Sequence, residues 1–67
     1  MWKPERWNEP GRNPWIVKNG TKVYGIGEWI ISIEDEDEAA RVADILNEMN
    51  AESEMDMKAA LALEIRR

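Results

Sequence analysis

The chain is 67 residues long and contains neither cysteine nor histidine, with nine basic and fourteen acidic side chains. A disulfide framework and thiolate chemistry are therefore excluded, and a zinc ion would lack its usual ligands. A chain of this length forms one small domain, which buries only about 60% of the surface that its unfolded form exposes. Because neither a disulfide nor a metal supports the domain, we expect self-association to stabilise it.

The charge is unevenly distributed along the chain. Residues 1–27 carry five basic and two acidic side chains, whereas residues 28–67 carry four basic and twelve acidic ones. The basic half is too weakly charged for a nucleic-acid footprint, and the acidic half repels phosphate, so no direct nucleic-acid contact is expected. No apolar run approaches the ~20 residues that span a bilayer, and no signal peptide is evident, so we expect no membrane contact and a cytoplasmic location.

The first segment, 1–14, is predicted to be an irregular arm, because its three prolines fix the backbone and remove hydrogen-bond donors. A purely disordered tail rarely contains two tryptophans, yet Trp2 and Trp7 lie in this arm. Either these side chains fold back and cap a small core, or they line an interface, where tryptophan is a frequent anchor.

Residues 15–33 are predicted to form a three-stranded antiparallel meander. Asn19-Gly20 indicates a hairpin. A two-residue loop would place Val17 and Tyr24 on the same face, whereas a three-residue loop with a bulge would shift the facing by one, and the sequence leaves both open.

Two glycines, Gly25 and Gly27, follow the predicted second strand and indicate a bulge or a second turn. A third strand is predicted over 28–33. Its alternation places three apolar side chains on the covered face of the sheet: Trp29, Ile31 and Ile33.

A helix is predicted over 35–50, with Asp35 as its N-cap and an apolar stripe that packs on the sheet. Ser53 and Asp56 could cap a second helix over 53–66. No glycine or proline separates the two segments near Asn50, so one continuous helix is the alternative. The predicted stripe of the first helix consists of Ala39, Val42, Ala43 and Leu46.

The second helical segment is apolar almost all round, so it requires cover on more than one side. A chain of 67 residues provides little cover, and we therefore expect this segment to pair with a second copy or with a target, most simply in a homodimer or a higher oligomer. The candidate interface residues are Trp2, Trp7, Ile45, Met57, Leu61 and Ile65.

The acidic run 34–38 has three interpretations: a helix start, a calcium site, or a face that imitates the phosphates of DNA. A calcium loop needs a central glycine, which is absent, and acidic residues favour the first turn of a helix. With no histidine or cysteine, and too little chain to build a pocket around a carboxylate pair, no catalytic residue, cofactor or metal is expected.

These observations predict an α+β domain over 15–67 after the arm: a three-stranded antiparallel β-meander followed by one or two helices (βββα or βββαα). The segment 15–50 resembles short accessory proteins of bacteriophages and prophages that counter bacterial defence, of the anti-CRISPR-like kind. The matching pieces are Trp15-Ile16-Val17, Asn19-Gly20, the run from Trp29 to Ile33, and the alanine-containing helix over 37–47.

The resemblance implies a non-enzymatic inhibitor that binds a host defence protein in the bacterial cytoplasm, often as a small homo-oligomer. One alternative is an oligomeric sponge for a nucleotide signal, for which Arg6, Arg12 and Arg41 are the candidate phosphate ligands besides the lysines and the C-terminal arginines. Another alternative is a structural or assembly protein of a phage or plasmid.

Overall fold

A computed structural model describes residues 1–65 and the side chains of residues 1–64. The predicted α+β class is confirmed: three antiparallel strands form a sheet and two helices end the chain. Along the chain, a separate two-stranded hairpin follows the three-stranded sheet and precedes the helices. The elements are β1 (Lys3–Arg6), β2 (Trp15–Asn19), β3 (Lys22–Val23), β4 (Gly25–Ile26), β5 (Trp29–Ile30), α1 (Glu36–Glu48) and α2 (Glu54–Ile65).

The sheet has the order β1-β2-β3, so its first strand comes from the segment predicted to be an irregular arm. β1 pairs with β2 in antiparallel register, from Lys3 opposite Lys18 to Arg6 opposite Trp15. The prediction was wrong here because charged residues and a proline have low β-propensity, whereas Pro4 is tolerated in an edge strand. Backbone pairing with β2 outweighs that low propensity.

The hairpin between β2 and β3 has a two-residue loop, which resolves the open choice of register. Asn19 pairs with Lys22, so the loop residues are Gly20 and Thr21, one residue later than the Asn19-Gly20 loop that the sequence indicates. Gly20 has a φ of +62°, and a glycine at the first loop position is the pattern of a type II′ turn. Since the loop has two residues, Val17 and Tyr24 face the same way, and both are buried in the core.

Helix α1 begins at its predicted cap and packs on the sheet through its predicted stripe. The carboxylate of Asp35 accepts a hydrogen bond from the backbone N–H of Asp37, at 3.2 Å. The helix contacts both β1 and β2. Its buried residues are Ala39, Val42, Ala43, Ile45 and Leu46.

The chain breaks between the two helices at Asn50, so the single continuous helix is excluded. Asn50 has a φ of +51°, a left-handed conformation that asparagine tolerates better than most residues. The N–H of Asn50 donates to the oxygen of Asn47 at 3.2 Å, and the N–H of Ala51 donates to that of Leu46 at 3.0 Å. These two bonds form a Schellman motif, which satisfies the last carbonyls of α1 and redirects the chain.

Helix α2 begins at the capping pair predicted from the sequence. The hydroxyl of Ser53 accepts from the N–H of Asp56, and the Asp56 carboxylate accepts from the N–H groups of Ser53 and Glu52. The helix contacts α1 and β4. Within residues 1–65, neither helix has the length and apolar character that crossing a membrane requires.

This cap makes the stability of α2 depend on pH. The hydrogen bonds from the backbone of Glu52, and then of Ser53, hold the pKa of Asp56 below its usual value. A carboxyl group with a lowered pKa stabilises the fold above its ordinary pKa and loses that contribution as the pH falls through the lowered value. We expect Asp56→Asn to lose less stability than the wild type as the pH falls below about 4, the ordinary pKa of an aspartate, as measured by urea unfolding. Equal losses in the two proteins would contradict the assigned contribution of the cap.

Candidate hairpin docking site

The chain leaves the sheet after Tyr24, forms the β4–β5 hairpin, and returns to the sheet at Ile33. The N–H of Tyr24 donates to the oxygen of Val17 at 2.8 Å, and the N–H of Ile31 donates to the oxygen of Tyr24 at 3.1 Å. Ile33 then pairs with Trp15 through two backbone hydrogen bonds, of 3.0 and 2.7 Å. The hairpin is therefore a side branch of the sheet, anchored at its base by backbone bonds.

The register of the hairpin places apolar side chains on both of its faces. Ile26 is opposite Trp29, so these two side chains share one face. Ile30 is on the other face, opposite Gly25, which has no side chain to cover it. The loop of this hairpin is Gly27-Glu28, again with a glycine of positive φ, +62°, at the first loop position.

Trp29 is the most exposed aromatic side chain of the described chain, at 72% of its full accessibility, and Ile30 is 37% exposed. This corrects the prediction that Trp29 shares a covered face with Ile31 and Ile33. The strand predicted over 28–33 is not continuous, and only the part after Ile30 returns to the core. Tryptophan is among the residues that are enriched at the centres of protein interfaces.

Two glycines make this geometry possible. A Cβ atom on Gly25 would overlap the backbone oxygen of Trp29, so only glycine allows the two strands to approach this closely. Gly27 supplies the positive φ of the turn. Both glycines therefore support a hairpin that leaves Trp29 exposed.

We expect Gly25→Ala to separate β4 from β5 and to cost about 1–3 kcal/mol, while the sheet and helices persist. In ¹H–¹⁵N NMR spectra the shifts should concentrate in residues 24–31. Gly11→Ala is the control, because Gly11 has a φ of +77° but a Cβ there meets no other atom within 4 Å. Unchanged hairpin resonances in Gly25→Ala would contradict the close approach.

Three of the predicted interface residues are buried within the single chain. Trp2 is 3% exposed, and Ile45 and Met57 are buried as well. The interface prediction is therefore corrected for these three, because the chain itself covers them. For Trp2 the alternative interpretation, in which the side chain folds back and caps the core, matches the structure.

The other predicted interface residues have different environments. Trp7 is half-buried, and its backbone N–H closes the loop between β1 and β2 by donating to Pro14 at 2.7 Å. Leu61 is half-buried and packs against the core. The side chain of Ile65 lies outside the described residues, so its interface role stays a prediction, as does that of Trp7.

The chain is acidic in the hairpin loop and in the segment that follows the hairpin. Residues 28–40 contain six acidic and no basic side chains, beginning with Glu28 in the hairpin loop. Among residues 1–65, no group of three or more acidic side chains is arranged to hold a metal ion. The acidic run instead starts α1, with Asp35 as its cap and three acidic residues in the first turn.

Within the described residues, Arg6 and Trp15 form a contact between an arginine and an aromatic ring. The guanidinium carbon of Arg6 lies 5.6 Å from the centre of the Trp15 ring, a cation–π contact across the β1–β2 pair. The guanidinium therefore occupies a face of the indole that a nucleotide base would need for stacking.

No protein-family model, curated protein or solved structure matches this chain.

Proposed function

We propose that this chain is a non-enzymatic protein-binding module and that the β4–β5 hairpin inserts Trp29 into an apolar cleft of a partner protein. The observation that carries the proposal is the exposure of Trp29 on a hairpin that depends on Gly25 and Gly27. A lone exposed apolar residue needs no explanation, but a large aromatic side chain held away from the core by backbone geometry has a use in binding.

Tryptophan is well suited to this use. It buries a large area, has only two rotatable side-chain bonds, and carries an N–H group that can donate within the interface. Truncation of such an anchor costs about 2–4 kcal/mol of binding free energy in typical interfaces. Ile30, on the other face of the hairpin and 37% exposed, adds a second apolar side chain to the proposed docking surface.

Charge indicates the kind of surface that surrounds the cleft. Glu28 lies in the hairpin loop itself, and five more acidic residues follow the hairpin in the sequence, over residues 34–38. A partner with lysine and arginine side chains around its cleft would be steered toward the hairpin and held in one orientation. We therefore propose a partner whose apolar cleft has a basic rim.

The resemblance to phage anti-defence proteins supports one class of partner. On that basis we propose that the target is a bacterial anti-phage defence protein and that binding inhibits it. Occupation of a basic-rimmed cleft by this acidic chain would compete with nucleic acid for the same surface. The proposed place of action is the bacterial cytoplasm.

The test is affinity capture from nuclease-treated lysate of bacteria that carry defence systems, with Trp29→Ala as the matched bait. We expect one protein to be retained near stoichiometrically by the wild type and lost with the variant, and its purified activity to fall when the wild-type chain is added. Equal retention by both baits would contradict the role of Trp29. A rise in melting temperature with cyclic nucleotides, and no retained protein, would favour the nucleotide sponge instead.

A further inference from the structure

The backbone of Ile30 faces away from strand β4. Ile30 lies opposite Gly25, and the N–H of the next residue, Ile31, donates to the oxygen of Tyr24 at 3.1 Å. Hydrogen-bonded and non-hydrogen-bonded pairs alternate along an antiparallel ladder, so the pair of Gly25 and Ile30 is of the second kind. The N–H and C=O groups of Ile30 are therefore directed outward, and neither has a hydrogen-bond partner within the described residues.

The outer edge of β5 is open. Among the described elements, only β4 makes more than a marginal contact with β5, whereas β4 also contacts helix α2. Trp29 and Ile30 are both exposed. Two residues after Ile30, the side-chain nitrogen of Asn13 donates to the backbone oxygen of Ser32 at 3.2 Å. The open part of the edge therefore ends at Ser32.

The free edge of the three-stranded sheet is protected, in contrast to β5. Next to strand β1, the side-chain amide of Asn47 occupies both backbone groups of Trp2, with hydrogen bonds of 2.6 and 3.0 Å. Within β1, Pro4 has no N–H to offer to a further strand, and the other residues are charged. Strand β5 has no such protection, since it consists of Trp29 and Ile30, two residue types that favour strands.

We infer that an extended segment of the partner protein adds to β5 as a third strand of the hairpin. The inference deepens the proposed function and rests on it: the side chain of Trp29 anchors the hairpin, and the backbone of Ile30 pairs with the segment that lines the cleft. An outward N–H and an outward C=O on one residue match the acceptor and the donor of one residue in an extended chain. Strand addition to an exposed edge is a general mode of peptide recognition.

Charge favours a basic segment of another protein over a second copy of this chain. Glu28 precedes the edge and Glu34 follows it, and both side chains are exposed. The whole chain has a net charge of −5, so two copies repel each other. A segment with lysine or arginine at each end and β-branched residues between them complements the edge in both charge and strand propensity.

Amide hydrogen exchange of the chain alone, followed by NMR, tests whether the edge is open. Ile30 and Ile31 are adjacent residues of the same type, but of their two N–H groups only that of Ile31 has a partner in the described part of the chain. We therefore expect the Ile30 amide to exchange at least ~10-fold faster than the Ile31 amide. Equal exchange rates would overturn the inference.

A synthetic peptide tests strand addition before the partner is known. The probe is acetyl-Lys-Val-Thr-Val-Lys-amide, and the control is the same peptide with its three central amides N-methylated, which prevents backbone pairing. At about 1–10 mM, the probe should shift the amide resonances of Glu28, Ile30 and Ser32 and slow exchange at Ile30, whereas the control should not. Absence of a saturable shift with the probe, or equal shifts with the two peptides, would overturn the inference.

Two variants of Ile30 separate the backbone from the side chain. Ile30→Pro removes the outward N–H, whereas Ile30→Ala keeps it and removes only the side chain. We expect the proline variant to bind the probe at least ~10-fold more weakly than the alanine variant, with both folded by circular dichroism. Equal binding of the probe by two folded variants would overturn the inference.

Trp29→Ala distinguishes this inference from the proposed function. The indole is not part of the backbone edge, so this variant should still bind the probe. If it binds the probe but captures the same host proteins as the wild type, the role of Trp29 in the proposed function is contradicted and strand addition stands. If capture depends on Trp29 but the probe does not bind, strand addition alone is contradicted.

Discussion

Replacement of Trp2 by alanine is expected to unfold a large fraction of the chain at 25 °C. The indole is 3% exposed and belongs to the core, and its N–H donates to the backbone oxygen of Ala51 at 2.9 Å. Truncation of a buried tryptophan costs about 3–5 kcal/mol. A chain of this length has a total stability of only about 3–10 kcal/mol. The loss is therefore comparable with the whole free energy of unfolding.

The backbone of Trp2 makes the expected effect larger, because it anchors β1 to α1. The side-chain oxygen of Asn47 accepts from the N–H of Trp2 at 2.6 Å, and its side-chain nitrogen donates to the oxygen of Trp2 at 3.0 Å. When the indole no longer holds the start of the chain, these bonds and the β1–β2 pairing lose their support. We therefore expect the loss of both core packing and an edge strand.

Urea unfolding followed by circular dichroism measures this effect. Trp2→Phe is the graded control, because it keeps most of the packing but loses the hydrogen bond to Ala51, and it should cost about 1–3 kcal/mol. Trp29→Ala controls for the loss of an indole from the surface and should leave the midpoint nearly unchanged. A Trp2→Ala variant as stable as the wild type would mean that the start of the chain is not part of the core.

Replacement of Trp29 by alanine is expected to leave the fold intact and to remove partner binding. The side chain is 72% exposed, so its loss should change the free energy of unfolding by less than about 0.5 kcal/mol. As a central anchor it should contribute 2 kcal/mol or more to binding, which corresponds to an affinity loss of about 30-fold or greater. The two measurements separate binding from folding.

Two control variants sharpen this prediction, with affinity for the captured protein measured by isothermal titration calorimetry. Trp29→Phe keeps an aromatic ring in the cleft and should lose less affinity than Trp29→Ala. Thr21→Ala changes the exposed loop of the other hairpin and should lose none. If Thr21→Ala weakened binding as much as Trp29→Ala, the docking surface would include the β2–β3 loop rather than the β4–β5 hairpin alone.

Much of the fold follows from local sequence signals. The caps at Asp35 and Ser53, the hairpin near Gly20 and the buried stripe of α1 all rest on interactions within a few residues. The sequence alone did not decide whether one continuous helix or two helices follow the sheet, although Asn50 indicates a break. After glycine, asparagine is the residue that most often ends a helix in the left-handed conformation.

One error and one open choice in the sequence-based prediction, for β1 and for Trp2, concern long-range contacts. β1 forms because residues 3–6 meet β2 about a dozen residues later, and nothing in their own composition favours a strand. Trp2 is buried through contacts with Asn47 and Ala51, more than forty residues away. Side-chain type alone could not distinguish a tryptophan that caps the core from one that anchors an interface.

The sequence did not predict the exposed hairpin, because the alternation of apolar and polar residues over 28–33 is typical of one continuous strand. The glycine pair before it was the available signal, since a second turn at Gly27 moves Trp29 out of the sheet. The repeated pattern of a glycine at the first position of a two-residue loop, at Gly20 and at Gly27, supports that interpretation.

Photo-crosslinking from position 28 in living bacteria tests the central claim most directly, because Glu28 lies in the hairpin loop beside Trp29. A photoreactive amino acid placed there should yield one discrete adduct with a host protein, in cells that carry anti-phage defence systems. The adduct should disappear when Trp29→Ala is added, and it should not form from position 21. If position 28 gave no adduct, or gave the same adducts as position 21, the claim that this hairpin binds a partner protein would be contradicted.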